Sequence, residues 1–227
     1  PQQTELQALA VAHLYQPAEE VAGDYYEIVA LPDGSWLVCV ADVTGHGVPA
    51  ALSAVMIKAF LLHATDHHSD PSRILAFINH RLATVCPTQN LASMFLARID
   101  PKAMILEYAS AGHEIGLLLR ADAALRELPA TGLPLAVQEE GAWETESLQI
   151  DVGDRLLLVT DGVTEAFSPE EELFGRKRLA REFAQWLHMT LDEVVQRIDA
   201  ALTAHRQGRA PADDVTVVVV ELTASEV

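Results

Sequence analysis

An apolar run that stops on an aspartate and continues at once into glycine occurs twice in this chain, and it restricts the fold more than any other feature. Trp36 to Ala41 runs into Asp42, with Gly45 and Gly47 following and Pro49 opening a long apolar segment. Leu156 to Val159 runs into Thr160, Asp161 and Gly162. Proline at a first helical position marks a helix start, because its missing N–H would have had no partner there. Asp42 is therefore expected at the C-terminal lip of a strand, beside a glycine turn open to close approach. The second run does not alternate, which predicts a central strand covered on both faces.

The remaining segments follow from periodicity and punctuation. Residues 4–14 carry apolar positions that fit either a helix or an edge strand. Tyr25–Leu31 and Ser35–Asp42, joined by Pro32-Asp33-Gly34, read as a hairpin. Helices are expected over Pro49–Ala64, largely buried because apolar nearly all round, and from the Asp70-Pro71 cap onward. Strands over 92–99, 103–110, 115–120, 125–128 and 145–150 form an antiparallel meander. Helices over Arg176–His188 and from the Thr190–Glu193 capping box to Arg206 precede a last strand, Val215–Leu222. The fold class expected is α+β, with residues 1–14 a remnant of an upstream linker, regulatory helix or edge strand and 15–227 a single domain.

Composition removes several function classes. The net charge of −18 lacks the cationic footprint of a nucleic-acid backbone binder. No apolar run approaches roughly 18 residues, so no membrane insertion is expected. Two distant cysteines, Cys39 and Cys86, suit a reduced, cytoplasmic setting. Position 92 is Ala where a cysteine-phosphatase loop starting at Cys86 would place Arg, and neither a Gly-x-Ser-x-Gly elbow nor a phosphate-binding P-loop occurs.

The carboxylates carry the chemistry. Asp24 and Glu27 begin the first hairpin strand and Asp42 ends the second, so antiparallel pairing brings them to one rim. The hairpin contains no Lys or Arg, and oxygen-only ligands favour magnesium, manganese or calcium over zinc. Asp161 ends another strand, and Asp213-Asp214 begins the last one. Such a rim could hold two divalent ions that activate a water for in-line attack on phosphorus. Solvated surface acids are the plain alternative. His113 is expected as a turn histidine bonding backbone groups, and His63, His67 and His68 as a polar helix end.

The motifs Tyr-Gln-Pro-Ala-Glu-Glu-Val-Ala-Gly-Asp-Tyr-Tyr-Glu (15–27), Val-Ala-Asp-Val-Thr-Gly-His-Gly-Val-Pro-Ala-Ala-Leu (40–52), Tyr-Ala-Ser-Ala-Gly-His (108–113), Leu-Leu-Leu-Val-Thr-Asp-Gly-Val-Thr-Glu-Ala (156–166), Phe-Gly-Arg-Lys-Arg-Leu (174–179) and Asp-Asp-Val-Thr-Val-Val-Val-Val (213–220) together resemble the SpoIIE/RsbU-type bacterial phosphatases of the metal-dependent type 2C (PPM) superfamily. The resemblance implies a four-layer αββα sandwich, two Mn2+ or Mg2+ ions, and hydrolysis of phosphoserine or phosphothreonine by a metal-activated water. It implies metal binding by Asp24, by Asp42 bridging both ions, by the Val43 carbonyl, by Asp161, and by Asp213 or Asp214. Glu27 stands where many relatives have Asp and ranks below Asp24. His46 is implied as a general acid toward the leaving alkoxide. The implied partners are a phosphorylated STAS-type anti-anti-sigma protein, an upstream sensor or receiver domain, and a second copy in a homodimer. A non-catalytic binding module and a small-phosphoester hydrolase are the competing functions.

Overall fold

The computed structural model describes residues 4–6, 8–85 and 91–224, so the segment from Cys86 to Asn90 lies outside the described residues. The described chain divides into two compact units, each assembled from segments distant in sequence. One contains the residues through Ala18, Ile115–Leu128 and Ile150 onward; the other contains Glu19–Glu114 and Pro129–Gln149.

The first unit is a six-stranded antiparallel sheet in the order β1-β2-β11-β10-β7-β8. Its strands are β1 (Thr4–Leu6), β2 (Leu9–Gln16), β7 (Gly116–Leu119), β8 (Leu125–Leu128), β10 (Arg155–Val159) and β11 (Val215–Leu222). The strand reading of residues 4–14 holds, and β1 is the edge. β2 pairs along its whole length with β11, from Leu9 opposite Leu222 to Gln16 opposite Val215, so a boundary after residue 14 would cut a paired strand. Three helices belong to this unit: α3 (Asp161–Thr164), α4 (Arg176–Phe183) and α5 (Leu191–Arg206). Val194, Val195, Ile198 and Leu202 of α5 and Phe183 of α4 pack on Leu157, Val159, Val217 and Val219. The capping box at Thr190 is formed, its hydroxyl accepting from the Glu193 N–H while the Glu193 carboxylate accepts from the Thr190 N–H. As expected, β10 is central and buried on both faces. The helix anticipated over Arg176–His188 stops at Phe183; the next residues form turns instead, with Trp186 buried against the same core.

The second unit is a five-stranded antiparallel sheet in the order β3-β4-β5-β6-β9, with strands Tyr25–Ala30, Trp36–Val43, Ala92–Asp100, Ile105–Ala111 and Glu146–Gln149. Helices α1 (Gly47–Thr65) and α2 (Pro71–Val85) cover one face. Leu37, Cys39, Ala41, Met94, Leu96 and Ala109 point into that helical layer, against Ile57, Leu61, Ile74 and Ile78. The α+β class is therefore borne out, as two antiparallel sheets with helices packed on each.

α1 departs from expectation. It is apolar nearly all round, yet only the side bearing Ala50, Ser53, Ala54, Ile57, Leu61 and Ala64 is buried. Val48, Leu52, Val55 and Leu62 are exposed. A helix lying on one sheet face beside a second helix can bury only part of its circumference, whatever its composition. By length and composition alone this 19-residue helix could cross a bilayer, with a mean hydropathy of 1.6, although no uninterrupted apolar run reaches that length.

The long segment between Leu128 and Glu146 is fastened by buried polar groups. Asn79 of α2 is 1% exposed; its amide nitrogen donates to the Gln138 and Glu139 carbonyls, and its oxygen accepts from the Ala136 N–H. Buried polar groups left without partners cost about 1–3 kcal/mol each. Asn79→Ala is expected to destabilise the protein by roughly that amount, read as a lower urea midpoint with an unchanged slope.

Candidate active site

The β3–β4 ladder decides where the carboxylates go. Its last pair is Tyr25 opposite Ala41, so Asp24, one residue before, continues the register opposite Asp42. On the other side of β4, Asp42 lies opposite Ser93 of β5. Directly opposed residues share a sheet face. Asp24, Asp42 and Ser93 thus form a row on the face away from α1 and α2. Asp24 is 5% exposed, a degree of burial that an ionised carboxylate reaches only with partners.

Glycine lets the backbone approach this row. A Cβ on Gly23 would lie 2.9 Å from the Val43 carbonyl oxygen and 3.2 Å from the Ala50 Cβ. Gly45 and Gly47, with φ of 94° and 71°, carry the chain from β4 into α1 through backbone conformations that suit glycine.

Glu27 does not join the row. It pairs with Cys39 and so faces the helical layer, where Lys58 of α1 holds it at 2.7 Å. The Tyr25 hydroxyl donates to it at 3.1 Å. Burial first, then the neighbouring Cys39 and Glu27, pushes the Tyr25 phenol far above its ordinary value, so it stays a donor. A hairpin without Lys or Arg obtains its cation from a helix some thirty residues downstream, which no local pattern reveals. His46 stands at the N-cap position of α1 with a side chain 83% exposed, its Nδ1 3.1 Å from Glu19.

The other unit gathers the remaining acids. Asp161 opens α3, a helical turn the sequence reading did not separate from the strand end. The Thr160 N–H donates to the Thr216 carbonyl, and the Thr160 hydroxyl accepts from the Thr216 N–H at 3.0 Å. These bonds tie the end of β10 to the start of β11, next to Asp213 and Asp214. Gly162 is pressed against that start: a Cβ there would lie 1.9 Å from the Asp214 carbonyl oxygen. Arg206 of α5, itself buried, donates to the Gly162 carbonyl at 3.4 Å. Asp214 is 8% exposed and accepts from the Ala18 N–H at 2.8 Å, whereas Asp213 is exposed and accepts from the Asp214 N–H. Among the described residues, no three His, Cys, Asp or Glu side chains form a single cluster able to hold a metal. Asp24 and Asp42 lie at one end of the β3–β4 hairpin, where Gly23 approaches the Val43 carbonyl, and oxygen donors of this kind suit hard divalent cations.

His113 has a side-chain partner that the sequence did not indicate. It is 6% exposed, and its Nδ1 lies 2.7 Å from the Ser93 hydroxyl. Ser93 itself carried no sequence signal, because it lies within an ordinary apolar strand. The His63 ring packs on His67 and on Phe77, and the His68 ring packs on Phe77.

The family profile of Stage II sporulation protein E (SpoIIE) matches residues 32–223. The chain belongs to the SpoIIE family. Phosphoserine phosphatase RsbU of Bacillus subtilis is 29% identical over 94% of this chain, which spans 63% of the length of RsbU. The SiaA-PP2C domain of Pseudomonas aeruginosa superposes with a TM-score of 0.85 at 22% identity, covering 93% of this chain and 85% of that domain. The catalytic domain of the phosphatase PstP, solved in complex with two manganese ions, superposes with a TM-score of 0.69 at 18% identity over 95% of this chain and 99% of that one. The fold of this SpoIIE-family chain is therefore the PP2C fold.

Gly162→Ala sets a methyl group against main chain, which cannot yield as a flexible side chain can. The variant is expected to lose about 3 kcal/mol, the upper range for overpacking, seen as a lowered urea midpoint. Gly45→Ala, where a Cβ meets nothing within 4 Å, is expected to lose less.

Proposed function

We propose that this chain is the catalytic domain of a protein serine/threonine phosphatase that uses two Mn2+ or Mg2+ ions. The observation that supports the proposal is the β3–β4 register, whose last pair, Tyr25 and Ala41, leaves Asp24 and Asp42 as the next residues at that end, with Gly23 against the Val43 carbonyl. Family membership, the name of RsbU and the manganese complex of PstP support it. The ligands assigned are Asp24, Asp42 as the bridging carboxylate, the Val43 carbonyl, Asp161 and Asp213. Asp213 is preferred to Asp214 because Asp214 is buried and committed to the Ala18 N–H. Glu27 is left out because Lys58 and Tyr25 engage it on the opposite face. When bound, such ions activate water as a nucleophile and neutralise charge on the phosphoryl group.

His46 is assigned the proton delivered to the leaving oxygen, with Glu19 orienting its ring. The substrate proposed is phosphoserine or phosphothreonine on a STAS-type anti-anti-sigma partner in the cytoplasm. An upstream sensor or receiver domain and a homodimeric full-length protein complete the proposal. A non-catalytic module is disfavoured because the full set of acids is present.

Phosphate release from a phosphoserine protein is expected to require Mn2+ or Mg2+ and to stop with chelator. Asp42→Asn and Asp161→Asn are each expected to lower kcat by roughly 10²–10³-fold, the range for losing one electrostatic stabiliser. Full activity in Asp42→Asn would contradict the assignment. His46→Ala is expected to slow release from phosphoserine while sparing an aryl phosphate, whose leaving group needs no proton. Equal effects on both substrates would remove His46 from that role. Asp42→Asn used as bait is expected to retain the phosphorylated partner.

A further inference from the structure

We propose that the exposed stripe of α1 is the face through which two copies of this chain meet, each α1 antiparallel to the other. It supplies a face for the homodimer reading above, on which it rests, and needs neither metal nor catalysis. Val48, Leu52, Val55, Ala59 and Leu62 are all exposed, the four larger side chains by 41–64%. They recur at spacings of four, three, four and three, the pattern that lets one helix seat its side chains between those of another. The stripe runs about 21 Å along the helix. Leu62 also lines a cleft with Val29, Leu31 and Pro32, which carries the apolar surface past the helix end. Single exposed apolar residues are ordinary on a monomer, whereas a continuous row of them marks a contact surface.

Charge, shape and the helix ends together select a second copy as the occupant. With 33 acidic residues and a net charge of −18, two copies repel one another. α1 has no acid in its 19 residues, and its one lysine, Lys58, is held by Glu27. The stripe is therefore a face on which copies can approach without opposing carboxylates. Its shape is complementary to itself under a two-fold axis, the commonest symmetry of a dimer. With Val55 on that axis, Leu52 faces the partner's Ala59 and Val48 faces the partner's Leu62. α1 also begins with no acid in its first turn and no side-chain cap, and it ends on Asp66, where negative charge is disfavoured. Antiparallel pairing brings each Asp66 to the start of the other helix, where negative charge is favoured. A bilayer fits worse, because anionic lipid repels this chain and the opposite side of α1 is packed in the core against the sheet.

Sedimentation equilibrium of the chain tests this, with dimerisation expected between about 1 μM and about 1 mM, the span of a small interface. Val55→Glu sets two carboxylates on the axis and is expected to raise the dimer Kd about tenfold or more. Its urea midpoint should stay near the parent's, because Val55 is exposed. Val55→Lys should weaken the dimer likewise, and an equal mixture of the two variants should restore it. Leu52→Glu mixed with Ala59→Lys should also restore it, because those positions face each other only when the helices run antiparallel. Recovery in the first mixture alone would overturn the antiparallel arrangement, and recovery in neither would overturn pairing of the two stripes. A dimer unchanged by all four variants would overturn the α1 face alone. A parent that stays monomeric at about 1 mM would overturn the homodimer reading with it. Vesicles of phosphatidylcholine and phosphatidylglycerol are expected not to bind the chain; binding that Val55→Glu abolishes would assign the stripe to lipid instead. None of these outcomes touches the phosphatase reading.

Discussion

The antiparallel register of β3, β4 and β5 is the constraint on which the candidate site depends. Side chains alternate between faces with a period of two, so a one-residue slip of β4 would turn Asp42 into the helical layer beside Ile57 and Leu61. A carboxylate there would lose its hydration without gaining a partner, at a cost of several kcal/mol. Leu37, Cys39 and Ala41 occupy the alternate positions and are fully buried. Val38 and Val40 are buried as fully on the opposite face, so the paired ladders with β3 and β5, not an alternation of apolar residues, hold the register, and the register fixes the face of Asp42. Burying the core and aiming Asp42 are one event.

Close backbone approach is the second element. Gly23 meets the Val43 carbonyl, Gly162 meets the Asp214 carbonyl and Gly112 meets Pro134. Each glycine admits main chain where a methyl group would collide, and Gly23 and Gly162 adjoin residues assigned to the site. These contacts rest on paired strands and their immediate ends. Strand ends held by ladder bonds on both sides move less than loop tips, which suits the cation-holding role proposed for these groups.

Glu27 and His113 show how face and partner override residue type. Glu27 is as close in sequence to Asp24 as a ligand could be, but its odd offset sends it to the other face of the strand, where Lys58 neutralises it. His113 follows a glycine turn, the ordinary setting of a structural histidine, but the turn folds back over β5 and meets Ser93. In both cases the deciding atom belongs to an element remote in sequence.

The sequence by itself determined most of the elements and pointed to the acids at their ends. Local periodicity and punctuation foretold the hairpin, the capped α2 and α5, the meander and the buried β10, because each depends on neighbours within a few residues. Asp24, Asp42, Asp161 and the Asp213-Asp214 pair were legible for the same reason: each sits where an apolar run meets a glycine or another acid. Tertiary structure alone decided that residues 9–16 form an inner strand, since both periods fit the segment until β11 paired with it. It alone separated Asp213 from Asp214, because only the folded chain brings the Ala18 N–H to one of two adjacent carboxylates. It also left one side of α1 exposed, since burial depends on what a helix packs against and not on its composition. The contact of Ser93 with His113 was invisible for the same physical reason: it joins a strand to a turn 20 residues on, and such pairing is not written in any local stretch of chain.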